Sequence, residues 1–322
     1  MTSTPSRTQI WLALWVVYLV WGSTYLAIRV AVHPTHGTGV PPLLLAGSRF
    51  TVAGLLMLVF TVRRPATDGQ PDPLGRKEWF AAAVIGLALP FGGNGLVSIA
   101  ERRIPSGTAA VILATIPMWA AGISAVLGRG RLRPRQLFGM ALGFGGVAAL
   151  VVGTGSGRVS LSGTLITVVA ALSWASGSVW SKTAPSARRP LVMTGMEMLC
   201  GGIGCFVVGA ATGEFADLHG DEFTLHAWLA WGYLVVAGSL LAYTAYVWLL
   251  RNADLPLVTT YAFVNPVVAV ILGATILSEP FTMRSALSTL AVVVGVILIV
   301  RQAGSPPRPP ESLAAPRDEV CV

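Results

Sequence analysis

Charge is the first thing this chain of 322 residues has little of. Only 11% of it is Asp, Glu, Lys or Arg, against about 25% in soluble domains. Together with a hydrophobic share of 54%, that argues against a water-soluble fold and for an integral membrane protein. Cysteine is scarce too. Cys200, Cys205 and Cys321 have neither metal nor redox spacing, so no metal centre is expected, and the two inside an apolar run read as packing residues. The four histidines fall in or beside loops, and the three-residue spacing of His33 and His36 is ordinary solvated surface. A phosphate-binding Walker loop is missing, which argues against an ATP-driven pump. Gly143, Gly145 and Gly146 resemble part of a nucleotide fingerprint but sit inside an apolar run, where Gly139 and Gly143 form a helix-contact motif. No nucleophile–base constellation appears, so neither a catalytic site nor a cofactor is expected. The formal charge of +8 would suggest nucleic acid for a soluble protein. Here the basic residues stand in short loops between apolar runs, and topology accounts for them.

What is present is a series of apolar runs of roughly 20 residues, the length that spans a hydrocarbon core. They lie near 10–32, 41–62, 79–100, 107–127, 136–153, 162–184, 191–212, 226–250, 257–278 and 283–301. Only helices satisfy backbone groups over such runs in lipid, and the alternation of a membrane β-barrel is absent. The expected fold is therefore all-α, with ten transmembrane helices. The loops orient it. With the N-terminus in the cytoplasm, 16 of the 22 Lys and Arg fall on the inside and 4 on the outside. Arg63, Arg64, Arg76 and Lys77 share one inner loop, and Arg129, Arg131, Arg133 and Arg135 another. This bias predicts both termini on the cytoplasmic side of a bacterial inner membrane. The loop Gly213–His226 has acids and no Lys or Arg, as an external loop should. Residues 1–9 read as a short cytoplasmic tail. Residues 302–322, rich in proline, read as a disordered cytoplasmic tail or a peptide ligand for some partner.

The chain repeats itself. A shift of 149 lays PLVTTYAFVNPVVAVILGATILSE (256–279) on GTAAVILATIPMWAAGISAVLGRG (107–130), pairing Pro266 with Pro117 and, without a gap, Trp228 with Trp79 and Gly295 with Gly146. WGSTYLAIR (21–29) and WASGSVWSK (174–182) pair at a shift of 153. Residues 10–153 and 162–301 are thus expected to be two five-helix copies. Five is odd, so the second copy must enter the membrane from the opposite side. Inverted repeats of this kind build alternating access around a site at the midplane.

WGSTYLAIRVAV, the prolines of the fourth and ninth runs and the fivefold repeat resemble the EamA domains of the drug/metabolite transporter superfamily. GNGLVSIAE (93–101), IPSGTAAVILATIP (104–117), SWASGSVW (173–180), GMEMLCGG (195–202) and YAFVNPVVAVILG (261–273) are most similar to the YedA-type inner-membrane exporters. The resemblance covers about residues 10–301. It implies a secondary transporter exporting a small organic solute such as an amino acid, a metabolite or a drug-like compound. The superfamily's substrates are too diverse for the resemblance to name one. Many family copies end the fourth helix with an acid, as Glu279 does in the second copy, whereas the first has Gly130.

Candidate binding or coupling residues are the polar and aromatic groups inside the runs. Glu197 lies about six residues, roughly 9 Å, into the seventh run. An intramembrane carboxylate faces a cavity or a partner by default, so it is either a substrate or proton site, or a structural carboxyl bonded to a neighbouring helix. Arg49, at the corresponding place in the second run, is either an anion ligand or a structural Arg. Asn94, between glycines, either lines a cavity or glues helices. Tyr261 and Asn265 share a helix face, and Pro266 frees a carbonyl one turn back; Pro117 and Pro266 are the expected kinks. Tyr243 and Tyr246 are placed to line the same space. Trp21 and Trp174 are too deep for an interface belt and read as cavity wall or helix packing. Arg29 and Lys182 read as anchors near span ends. The partners expected are a small solute, the bilayer and, through Glu197, protons. Facilitated exchange or uniport is the alternative. A membrane enzyme acting on a lipid-linked substrate is a distant second, because the acids of 214–222 lack basic partners.

Overall fold

The computed structural model describes residues 5–33, 39–63, 72, 74–129, 132–151, 160–253 and 255–303. The tail expected at 302–322 lies almost wholly outside them. Among the described residues there is no strand, and 8 helices are long and apolar enough to cross a membrane. These are α1 (Arg7–Val32), α2 (Pro42–Thr61), α3 (Arg76–Ala100), α4 (Ser106–Val126), α6 (Leu161–Ser181), α7 (Pro190–Ala211), α8 (Leu225–Leu250) and α10 (Met283–Val300). Between them lie α5 (Pro134–Val151) and the shorter α9 (Tyr261–Ile276). The ninth apolar run is divided by a turn at Thr259 and Thr260, after the single helical turn Leu255–Val258, which is why its helix is short.

Local sequence sets the helix ends. Ser6 opens α1 in a capping box with Gln9. Thr224 and Ser160 accept the Ala227 and Gly163 N–H groups at the starts of α8 and α6, and such caps are worth about 1 kcal/mol each. Pro42 and Pro190 start α2 and α7, where a missing N–H costs nothing. α4 and α7 stop at Gly128 and Gly213, both left-handed with φ +68° and +84°. α9 stops at Ser278, which takes φ +53° without being glycine.

These stops have consequences. Beyond Gly213, the Glu214 N–H bonds Gly209 O at 2.8 Å, and the Glu214 carboxylate reaches across to accept the N–H groups of Leu43 and Leu44 at 2.9 and 3.1 Å. Beyond Ser278, the Glu279 N–H bonds Gly273 O at 3.0 Å. Its carboxylate accepts the N–H groups of Ser106 and Gly107 at 2.7 and 3.2 Å and the Ser106 hydroxyl at 3.0 Å. Two carboxylates from the second half thus cap the first turns of α2 and α4, where the helix dipole favours negative charge.

Three of the helix pairs equated by the sequence repeat, α2–α7, α4–α9 and α5–α10, pack on each other, antiparallel. Along α2 and α7, Gly47 lies against Gly202 O at 3.2 Å from an ideal Cβ, and Gly54 against Gly195 O at 2.8 Å. α5 meets α10 where Gly139 and Gly295 each press on the other's carbonyl, at 2.8 and 2.5 Å by the same measure. No side chain fits there, so the Gly139–Gly143 motif makes the helix contact its spacing suggests. α4 and α9 meet through Gly107 and Val270. At one surface, Arg189 pairs with Asp72 at 2.6 Å and donates to Thr61 O at 2.7 Å, tying the start of α7 to the end of α2.

Candidate functional site

A cavity of about 110 Å³ lies between the two halves. One water needs about 10–15 Å³ on the same measure, so the space suits a small solute. Its walls come from seven helices. α1 supplies Trp21, Thr24, Tyr25 and Ile28; α2 supplies Arg49; α3 supplies Gly93, Asn94 and Val97. Ala110, Leu113, Ala114, Ile116 and Pro117 of α4 make an apolar wall. Trp174 of α6, Tyr243 of α8, and Tyr261, Ala262, Asn265 and Pro266 of α9 complete it.

Two widened helical stretches shape this space. In α3 the backbone runs as a π-helix from Leu87 to Gly95, and in α8 from Leu234 to Leu241. Such stretches loosen the ladder and turn polar groups outward. In α3, the Ser173 hydroxyl donates to Ala88 O at 2.9 Å. Gly93 lets the Trp174 ring approach the helix: a Cβ there would stand 2.4 Å from a ring carbon. In α8 the loosened turn supplies Gly238 O, which accepts the Trp21 indole N–H at 3.2 Å, and Ser239 Oγ, which accepts the Arg49 Nε–H at 2.9 Å.

Arg49 is 4% exposed, and its guanidinium carbon lies 4.6 Å from the centre of the Phe50 ring. A guanidinium has five donors. Only Nε is matched within the protein among the described residues, and the side chain lines the cavity. A nearly buried cation with donors to spare beside an internal cavity is a site for an acceptor-bearing group.

Opposite it stands an aromatic cluster. Trp21 lies 5.1 Å from Tyr243, 5.1 Å from Tyr246 and 5.2 Å from Tyr261, and Tyr246 is 5.7 Å from Tyr261. Such rings hold each other rigidly and offer π-faces to a cation. Asn265, with its amide oriented by the surrounding acceptors, donates to Tyr261 O and Tyr18 O at 3.3 Å each. Tyr18 also hydrogen-bonds Thr260. These bonds tie α1 to the start of α9 below the cavity.

A family model describing the EamA-like transporter family matches the chain twice, over residues 9–152 and 161–301. The chain belongs to the EamA-like transporter family. This EamA-like protein is 36% identical over 292 residues to a protein of Escherichia coli strain K12 named an uncharacterized inner membrane transporter, YedA, covering 89% of each chain. It is 28% identical to another protein of that strain named a probable amino-acid metabolite efflux pump, covering 92% of this chain and 95% of that one. One solved crystal structure superposes with a TM-score of 0.60 at 20% identity, covering 93% of this chain and 100% of that one, and so shares the fold. The EamA-like chain is a membrane transporter of the drug/metabolite superfamily, not an enzyme.

Of the residues singled out in the sequence, the fold of this EamA-like transporter brings Trp21, Arg49, Asn94, Trp174, Tyr243, Tyr261 and Asn265 to one cavity, with Pro117 and Pro266. Tyr246 stands behind that wall, against Trp21 and Tyr261. Glu197 is half-buried and is not among the lining residues. Its backbone is packed by α3, a Cβ on Gly86 falling 2.3 Å from Glu197 O. Among the described residues no ion pair joins Arg49 to Glu197. Lys182 is exposed, as an anchor would be, whereas Arg29 donates inward to Glu101 O. The prolines differ in setting: Pro117 opens the helical stretch Ile116–Val126 after a break at Ala114 and Thr115, while Pro266 lies inside α9. Sequence reading missed Ser239, Gly238 and the capping role of Glu214. All act across more than 160 positions of sequence, and only the hydroxyl of Ser239 in an apolar run was visible as a signal.

Proposed function

We propose that this chain exports a small organic solute carrying an acidic group, amino-acid-like in size, across a bacterial inner membrane by alternating access. The observation that carries the reading is Arg49, buried, lining the same cavity as Trp21, Tyr243 and Tyr261, with guanidinium donors unmatched among the described residues. Arg49 binds the solute's carboxylate, and the ring faces take its cationic or apolar part. Asn94 and Asn265 add polar contacts, and the α4 wall fits the hydrocarbon portion.

Ten spans in two inverted copies, 10–153 and 162–301, are the architecture behind this. The antiparallel packing of α2 on α7, α4 on α9 and α5 on α10 supports inversion, since each pair joins helices equated by the repeat. Loop charge supports both termini in the cytoplasm, with Arg29, Glu101, Glu214 and Glu279 at the outer end. The name of the efflux-pump relative supports amino-acid metabolites as the solute class and export as the direction. Glu197, outside the cavity lining, remains a proposed proton site only through movement of α7.

The test is untargeted mass spectrometry of the medium from cells expressing the native chain or Arg49→Gln. Native expression enriches one or more acidic solutes outside, and Arg49→Gln removes the enrichment while the protein remains in the membrane. Equal enrichment by both forms contradicts the role of Arg49.

A further inference from the structure

Toward the end of α1 that carries Arg29 lies a carboxyl the transport reading leaves unused. Glu101 directly follows α3 and is 0% exposed. Its backbone is well held: its N–H bonds Val97 O at 2.9 Å, and its carbonyl accepts from Arg29 Nη1. Its two carboxyl oxygens are buried with no hydrogen-bond partner among the described residues. Arg29 is thus engaged with the carbonyl of Glu101 and not with its carboxylate.

An ionised carboxylate so placed would be a buried charge without donors, which is strongly unfavourable. Burial pushes the Glu101 carboxyl well above the usual range; nearby Arg29 pulls it back in part, and Glu279 adds to the rise. α1 presents Tyr25 and Arg29, and the segment after α9 presents Glu279, whose carboxylate caps α4. Arg102 is turned away to Gly39 O at 3.0 Å, and Arg103 is exposed. Arg49 of α2 is turned to Ser239, and α6 meets this corner through Gly163, which has no side chain.

Only a thin layer separates Glu101 from the cavity. Val97 lies one turn before it, and Tyr25 and Ile28 lie within one turn of Arg29; all three line the cavity. A movement of α1 that lets a solute past this layer also uncovers Glu101.

We propose that Glu101 is a proton-binding gate residue: it holds a proton while α1 lies closed over α3 and α4, gives that proton to water when this end opens, and takes one back from water before the end closes. Arg29, already beside it, becomes the counter-cation of the open state. The inference rests on the alternating-access reading and adds the group that makes outer opening depend on pH.

The test needs no solute. Ile28, 2% exposed in this closed arrangement, is replaced by cysteine in full-length protein whose native cysteines are serine. Right-side-out vesicles are then treated with a membrane-impermeant methanethiosulfonate. The thiolate is the reacting form and has its own pH dependence, so the rate at each pH is divided by that of a fully exposed cysteine in the same vesicles. Labelling so normalised is expected to rise about tenfold or more between about pH 6 and pH 9, since the ionisation of one group changes about tenfold per pH unit. Adding Glu101→Gln makes normalised labelling low and independent of pH, while adding Asp217→Asn, at an exposed acid with no part in the cavity, leaves the pH dependence in place. In reconstituted protein at neutral pH, infrared spectra show a protonated-carboxyl band that Glu101→Gln removes. Labelling that is substantial but independent of pH in the Glu101 protein overturns the gate and spares alternating access. No labelling at any pH overturns both. A pH dependence unchanged by Glu101→Gln, or a band unaffected by it, also overturns the gate.

Discussion

The fourth helix of one half and the fourth helix of the other face the same cavity, yet they bring different chemistry to it. α4 offers Ala110, Leu113, Ala114, Ile116 and Pro117; α9 offers Tyr261, Ala262, Asn265 and Pro266. Their ends differ as well. α9 ends at Ser278 and hands Glu279 to the first turn of α4, whereas α4 ends at Gly128 and is followed by Arg129, whose N–H bonds Ser124 O at 2.9 Å. Both halves bring a helix to the cavity, one wall apolar and the other polar. On the reading proposed above, that difference assigns selectivity to the α8–α9 side and Arg49, with α4 as the wall that fills.

The largest effect on that comparison is expected from Arg49. A hydrogen bond to a charged group contributes about 1.5–3 kcal/mol, so Arg49→Gln should weaken solute export roughly ten- to hundredfold in metabolite profiling. Arg49→Lys, which keeps the charge but loses the fork, should fall between. Ile116→Val on the apolar wall should change export by less than about fourfold, a buried methylene being worth about 0.8 kcal/mol.

Next in size is Gly93→Ala. The added methyl would meet the Trp174 ring at 2.4 Å, and overpacking of this kind costs about 1–3 kcal/mol. Detergent-solubilised Gly93→Ala should melt earlier than native, while Gly145→Ala, with nothing within 4 Å, should not. A native melting curve for Gly93→Ala would break the account of how Trp174 reaches the cavity.

Smaller again is the pH dependence of the Glu214 cap. Burial raises the Glu214 carboxyl, and the N–H groups of Leu44 and Leu43 pull it partly back. A folded pKa above the unfolded one contributes stability that is present at low pH and is lost as pH rises through the folded value. Glu214→Gln should therefore gain stability relative to native as pH climbs from acid to neutral. The smallest effect is expected at Ser278, whose φ of +53° costs a non-glycine residue about 1 kcal/mol. Ser278→Gly should raise the melting temperature slightly if the turn that delivers Glu279 is kept.

The sequence made the spans legible because lipid demands runs of about 20 apolar residues, and few other patterns yield them. It made Trp21, Arg49, Asn94 and Asn265 legible because polar or amphipathic groups at depth need an interior to face. Which turn of a helix faces that interior was not legible. Glu197 has the same credentials as Arg49, but α7 is rotated by its glycine contacts with α2 and α3, and its carboxyl lies outside the lining. Ser239 and Gly238 meet Arg49 and Trp21 from the widened stretch Leu234–Leu241 of α8, a backbone choice that no side chain announces. The partners of Glu214 and Glu279 lie about 170 positions away along the chain, so their capping depends on the packed bundle. Glu101 stood between Ala100 and two arginines, where an acid passes for loop surface.

The central claim, that recognition lies at Arg49 and the α8–α9 wall, is tested most directly by comparing solutes outside cells that express native protein, Arg49→Gln or Ile116→Val at matched membrane levels. The account predicts that the enriched acidic solutes disappear with Arg49→Gln and persist with Ile116→Val. Persistence with Arg49→Gln, or disappearance with Ile116→Val alone, would contradict it.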